Sequence, residues 1–415
     1  TNIRWSSPTG GGCFRCCIEI CPDPGRDDPP AMSADRRSFE RLRDHARQAR
    51  ETGDYTQAAR LERQAAELAG ALGLPGERTR ALLWEGYSLR QAGEDDLALA
   101  ALLQVVGERT ATADPADAFG ALTAIVHIGL ERKPLRFCRA LLDQARHYLN
   151  EIRRPWTAPL DYLEGELALR RGEFAAAWDW HSRAWADWRD EYPRLTAATH
   201  LWALCRTAFR RRHLAELERL GTALVELRPS TMLERQLVER TRLLWWRAQR
   251  ATGTAQPALD PTVPVETALT LLASAAGESR DFGARREALR ALALANRWDA
   301  VDDSLARHKL KPDSFDNSLL LGDLALNQTR ATLGLPILDD DYGEDTNAAS
   351  PSPDRPNPET RSKLEQAESH YRSALALAET EDERLETQVL GATVRNRLRQ
   401  LETMILVPAS SLKKS

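Results

Sequence analysis

The chain has no run of eighteen apolar residues, which excludes a helix that crosses a membrane. No charged-then-apolar leader opens it, so no export signal is expected and the expected compartment is the reducing cytoplasm. β-Branched runs and Asn-Gly hairpin signals are missing, which removes sheet architectures. The compact motifs that carry chemistry are missing too. There is no His-Glu-x-x-His, no Gly-x-x-x-x-Gly-Lys-Ser/Thr phosphate loop, no Gly-x-Gly-x-x-Gly after a strand and no Gly-x-Ser-x-Gly elbow. The expected class is therefore not an enzyme, with no cofactor. The eight histidines show no finger spacing with cysteine, and read as ordinary surface or satisfied helix residues. Acidic pairs such as Asp302-Asp303 read as solvated helix faces. A net charge of -4 over 415 residues selects neither an acidic nor a basic partner, because the local distribution of charge decides that.

The chain does hold an ordinary balance of apolar and charged residues, 42 % and 28 %. It is spread over a length too great for one compact core, so several domains or a repeat array are expected. Residues 1–33 differ from the rest: they are rich in Gly, Pro and Cys and lack helical spacing, and Met32-Ser33 would make a natural start for the remaining chain. Cys13, Cys16, Cys17 and Cys21 supply the four thiols that zinc or an iron–sulfur cluster requires. Their spacing fits neither, and neighbouring Cys16 and Cys17 can hardly both ligate one metal. The cluster reads as incidental to an irregular tail, with a metal site or a redox role as minor alternatives. Cys138 and Cys205 stand alone in helical segments and read as small buried apolar residues.

From Ala34 to about Gly334 almost every segment has apolar residues at helical spacing. One pattern recurs in it: a helix, a small or polar turn, an aromatic or Leu two residues on, and Ala three residues after that. It appears as Gly53-Asp54-Tyr55 with Ala58 and Ala65, and as Gly93-Glu94 with Ala98 behind Gly86-Tyr87. It is clearest as Gly172-Glu173-Phe174 with Ala177 and Ala184 behind Gly165. Degenerate copies lie at Lys133 to Leu135, Arg212 to Leu214 and Asn296 to Trp298. Positions 53, 93, 133, 172 and 212 are spaced by 40, 40, 39 and 40 residues, enough for two antiparallel helices and two turns each. Small residues belong where the helices of a hairpin cross closely, and Gly belongs at a turn with backbone angles that other residues avoid.

Gly165…Gly172-Glu-Phe174…Ala177…Ala184, with Ala367…Tyr371…Ala374 further on, resembles the signature of tetratricopeptide repeats over roughly residues 35–404. The longer period is similar to that of MalT-type and kinesin-light-chain-type repeats; Gly is absent from the copies at Lys133 and Arg212. The resemblance implies an all-α, right-handed α-solenoid of helix hairpins. Residues 1–33 form the tail, 34–335 the solenoid, and 336–361 a disordered insertion rich in Asp and Pro. Residues 362–404 form the second helix of a split repeat and a capping helix, and 405–415 a tail. The Pro-rich stretch 254–264 reads as a connection between the helices of one repeat.

In such a solenoid the first helix of each repeat lines a concave groove. Carried onto this sequence, that frame places Arg43, Arg47, Arg50, Tyr87, Arg90, Tyr162, Arg170, Trp202, Arg206, Arg210, Arg247, Arg250, Arg286 and Arg290 along it. Guanidinium groups pair bidentately with carboxylates and stack on rings, so an acidic peptide or partner protein suits this surface. The bland alternative is that arginine is common here and half of these point to solvent. The Lys/Asn carboxylate clamp of chaperone-binding members is not matched. Trp178, His181, Trp185 and Trp188 form one helix stripe, read as packing between repeats, and Trp180 lies off it and is the better candidate for exposure. The acidic residues Asp339 to Asp345 could fold back into the groove and occupy it. The alternative function is a regulator associated with nucleic acid or a transcription or signalling complex. No DNA-reading domain accompanies it, so nucleic acid is the disfavoured partner.

Overall fold

The computed structural model describes residues 34–108, 114–132, 135–152, 157–187, 197–227, 232–252, 262–275, 282–308, 310, 312, 315–334, 337, 339, 358–380, 394–395, 398 and 401. Among them are sixteen α-helices and no strand. In chain order they are α1 (Ala34–Glu51), α2 (Tyr55–Ala71), α3 (Pro75–Gln91), α4 (Asp95–Gly107), α5 (Pro115–Arg132), α6 (Leu135–Glu151), α7 (Ala158–Arg170) and α8 (Phe174–Ala186). Then follow α9 (Ala197–Arg210), α10 (Leu214–Glu226), α11 (Met232–Thr252), α12 (Thr262–Ala275), α13 (Phe282–Leu294), α14 (Trp298–His308), α15 (Phe315–Thr332) and α16 (Pro358–Thr380).

Each helix from α1 to α13 packs on the next, and α15 packs on α16. From α3 to α15, each odd-numbered helix also touches the next odd-numbered one. The chain is thus an all-helical stack of hairpins of the kind an α-solenoid makes, with the odd helices forming one continuous wall. Its apolar core is correspondingly drawn out. Five clusters follow one another along the chain, and neighbouring clusters share α5, α9, α11 or α15. Fully buried Leu122, Leu142 and Leu167 hold the second of these together; burial of such a side chain contributes about 1.5–3 kcal/mol.

The turns closing the hairpins share one geometry. Gly53, Gly93 and Gly172 take φ of 82°, 80° and 77°. In each case the next residue's N–H donates to the carbonyl five residues back, as Asp54 does to Ala49 and Glu173 to Ala168. That bond and its partner from the glycine N–H satisfy carbonyls that the helix end leaves open. Arg212 and Asn296 occupy the same position in later hairpins, and both take φ of 59° with the same bonds. Asparagine tolerates this backbone region, so it is at Arg212 that fold geometry overrides residue preference.

The close approaches of helix to helix are equally regular. A Cβ on Gly86 would lie 2.6 Å from Leu102, one on Gly165 2.5 Å from the His181 ring, and one on Gly322 2.6 Å from the Tyr371 ring. The third pair spans the acidic insertion: Gly322 is on α15 and Tyr371 on α16, and the Tyr371 hydroxyl donates to Asp323 at 2.8 Å. Helix α16 begins at Pro358, earlier than the sequence pattern suggests, because proline is pre-set for the first helical turn and Glu359 favours that end. For the same reason α12 begins at Thr262 and takes Pro264 into its first turn. Beyond α16, Val394 and Leu401 are helical and buried against Leu364, Ala367 and Tyr371. The tail 1–33, most of the insertion and residues 405–415 lie outside the described residues.

Candidate functional site

The odd-numbered helices bring arginines into one row. Arg50, Arg90, Arg170, Arg210, Arg250, Arg290 and Arg330 recur at steps of 40 or 80 residues, with Leu130 standing in the gap. The first six are residues that the sequence frame assigned to a groove; the fixed step and Arg330 were missed. At least one of the row does structural work. The Arg170 guanidinium donates to the Leu130 carbonyl near the C-terminal end of α5, where a cation complements the helix dipole. Arg210 lies over the Phe174 ring, its guanidinium carbon 4.9 Å from the centroid.

At the first repeat the arginines turn inward. Arg43 Nε lies 3.1 Å from one oxygen of Glu62, and Arg50 Nη1 lies 2.6 Å from the other. Glu62 is completely buried on α2, and burial raises its pKa despite both cations. Arg50 also stacks over Trp84 at 4.5 Å. Arg43 and Arg50 therefore tie α1 to α2 and α3, which corrects their reading as groove residues. Arg47 is exposed and pairs with Asp44 at 2.9 Å. Tyr87 stands edge-on to Trp84 with ring centroids 5.5 Å apart, and its hydroxyl lies against α5 at Gly120.

The middle of the wall is a buried polar cluster. Tyr162 on α7 has three histidines around its ring, at centroid distances of 5.8 Å to His127, 5.6 Å to His181 and 5.7 Å to His200. Glu166, one turn further along α7, pairs with Arg206 of α9, and lies 3.6 Å from His181 Nε2. Burial alone would raise the Glu166 pKa, but Arg206, His181 and Arg170 outweigh it and hold the carboxylate below its usual range. Burial, reinforced by Arg90 and Arg206, holds His127 well below the usual imidazole range. Burial pushes His181 and His200 down to about 4 each, with Glu166 opposing at His181. Burial, with Glu166 beside it, raises the Tyr162 phenol. Arg90, Arg170, Arg206 and Arg240, from α3, α7, α9 and α11, all bear on this one cluster.

Two of the expected contact residues are part of the wall itself. Tyr162 is 4 % and Trp202 3 % exposed; Trp202 is sandwiched by Arg206 at 5.7 Å and Arg240 at 4.5 Å. Neither can meet a partner directly. Arg247 is likewise buried, with Nη1 2.6 Å from Glu287 of α13, and Nε and Nη2 at 2.9 and 2.6 Å from Asp339. Arg250 is exposed on the next turn, and Arg286 and Arg290 are half-buried on α13. Trp178 and Trp185 pack against the α9–α11 cluster, as the stripe implied. Trp180 is half-buried with Arg183 stacked on it at 3.7 Å; Trp188 lies outside the described residues.

Two histidines depart from the expected role of surface or satisfied helix residues. His181 and His200 are each 1 % exposed, and their ring nitrogens make no hydrogen bond to protein. A signal existed: His181 stands sixteen residues after Gly165, as Leu102 does after Gly86, which marks a core position. Cys138 and Cys205 are buried free thiols, and burial pushes Cys205 up to about 12. The group Cys13, Cys16, Cys17 and Cys21 lies outside the described residues, among which no cluster suited to a metal occurs.

No protein-family model matches the chain, and no curated protein matches it. Fold and wall define the class: an all-helical hairpin array with a polar, arginine-rich row along its odd-numbered helices. No helix among the described residues is long and apolar enough to cross a membrane.

Proposed function

We propose that this chain is a non-catalytic docking scaffold of the tetratricopeptide kind, a right-handed solenoid whose row of arginines takes an acidic segment of a partner protein. One observation carries the reading. Arg90, Arg170, Arg206 and Arg240, from four odd-numbered helices, all act on one cluster of the wall, where Arg206 pairs with Glu166. Planar guanidinium forks pair bidentately with carboxylates and stack on rings, so a wall this rich in arginine suits an acidic segment. Phe174 beneath Arg210 adds an apolar flank to the same row.

The test is fluorescence anisotropy with a labelled octa-glutamate peptide, using octa-lysine as control. Octa-glutamate should bind, with affinity falling as salt rises. The double variant Arg90→Gln, Arg210→Gln should weaken it roughly tenfold, about 1.4 kcal/mol, with an unchanged circular dichroism spectrum. Equal affinity for the two peptides, or for wild type and variant, would overturn the reading.

A further inference from the structure

Helix α15 ends at Thr332, and Gly334 closes its last turn at φ of 68°. Five residues on, the two carboxylate oxygens of Asp339 accept from Nε and Nη2 of Arg247. Arg247 belongs to α11, not to the adjacent α13. Glu287 of α13 holds the remaining arm of the same guanidinium at 2.6 Å, so α11, α13 and Asp339 meet at this one group. Phe209 of α9 lies against the guanidinium, 5.0 Å from its carbon to the ring centroid, and the charge of exposed Arg250 also acts on Asp339. Asp339, outside the helices, thus presents a carboxylate to the wall of odd helices, as a bound acidic peptide would. The sequence continues Asp340, Asp341 and, after Tyr342 and Gly343, Glu344 and Asp345.

We infer that Arg247 and Arg250 form a carboxylate-binding site for an acidic peptide, and that Asp339 is its tethered resident, so that the chain governs access to its own docking surface. The inference rests on the docking reading and adds the site and its occupant. A buried ion pair gains little net free energy over its separated, hydrated partners, because desolvation offsets attraction. Exchange of Asp339 for another carboxylate conserves the contact chemistry. What keeps Asp339 in place is its tether to α15, worth an effective concentration in the millimolar range for a short flexible link. A partner with several carboxylates and further contacts along the row displaces it; a single free carboxylate does not.

The experiment uses the full chain and a fluorescent peptide copying residues 335–345. Asp339→Asn, which keeps the side-chain size, should bind the peptide at least tenfold more tightly than wild type. Adding Arg247→Met to that variant should return binding to the wild-type level. Equal binding by wild type and Asp339→Asn, or binding that survives Arg247→Met, overturns the inference. Should either variant lose its cooperative melt, hydrogen exchange on the wild type decides instead. Amides of residues 333–339 should exchange faster when octa-glutamate is added in excess, and unchanged exchange overturns the inference. Octa-glutamate that binds while these amides stay unchanged sinks the tethered occupant alone. Octa-glutamate that fails to bind at all sinks the docking reading as well.

Discussion

Arg212 shows how much a single position can be asked to bear. Its backbone is in the left-handed region, where a Cβ costs about 1–2 kcal/mol, and its N–H still donates to Phe209 to close the turn. Gly53, Gly93 and Gly172 meet the same demand without that cost. Arg212→Gly should therefore raise stability by about 0.5–1 kcal/mol, the relief of strain being partly offset by glycine's greater freedom when unfolded. Gly172→Ala should lose about 1 kcal/mol, since an added Cβ is strained in that backbone region. Urea unfolding of the two variants checks both, and a destabilising Arg212→Gly would refute the shared turn geometry. Sequence alone located this position through its spacing from Gly172. It could not reveal the backbone angle, because arginine is among the residues that ordinarily avoid it.

The helices α5, α7, α8 and α9 meet at the histidines around Tyr162, and there charge state and packing are linked. His181 and His200 titrate near 6.5 when unfolded and about 4 when folded. Between those values the unfolded chain binds more protons, so stability is fully present above about pH 6.5 and is lost as pH falls toward 4. Each histidine contributes at most about 1.4 kcal/mol per pH unit over that window. Glu62, Glu85 and Asp117, whose pKa values are raised by burial, act in the opposite sense in the acid range. The comparison must therefore be made against a variant. His181→Leu copies Leu102, which fills the equivalent place opposite Gly86. Its melting temperature should fall less than that of wild type between pH 7 and pH 4.5, and an identical fall would show that His181 is not the group responsible. The helices themselves were readable from apolar spacing, since one buried stripe leaves a period in the sequence. Of this cluster only His181 carried a mark, its step from Gly165; elsewhere a buried histidine and a surface histidine look alike until it is known what packs over them. The same limit applies to Arg43, whose carboxylate partner on α2 is set by helix crossing and leaves no periodic trace.

Across the whole molecule, contacts run from each hairpin to its neighbours, and the five apolar clusters are joined only through shared helices. Damage should therefore stay local. Gly322→Ala places a methyl group 2.6 Å from the Tyr371 ring, and overpacking of this sort costs typically about 1–3 kcal/mol. In hydrogen exchange, protection in α15 and α16 should drop while α1 to α8 keep theirs. A uniform loss along the chain would mean that the array unfolds as one unit. The 40-residue step made the array legible because the same hairpin is built again and again. Asp339 on Arg247 joins positions ninety-two residues apart in an irregular segment, and no period announces it.

The pairing of Gly322 with Tyr371 has a practical consequence. Two halves of one hairpin find each other although a long stretch of sequence separates them, whereas the other hairpins close through nine residues or fewer. The entropy of closing a loop rises only with the logarithm of its length, about 0.6 kcal/mol per doubling. The gap between α15 and α16 is thus a place where foreign sequence, even a reporter domain whose ends lie close together, could be spliced into the chain without disturbing the stack on either side.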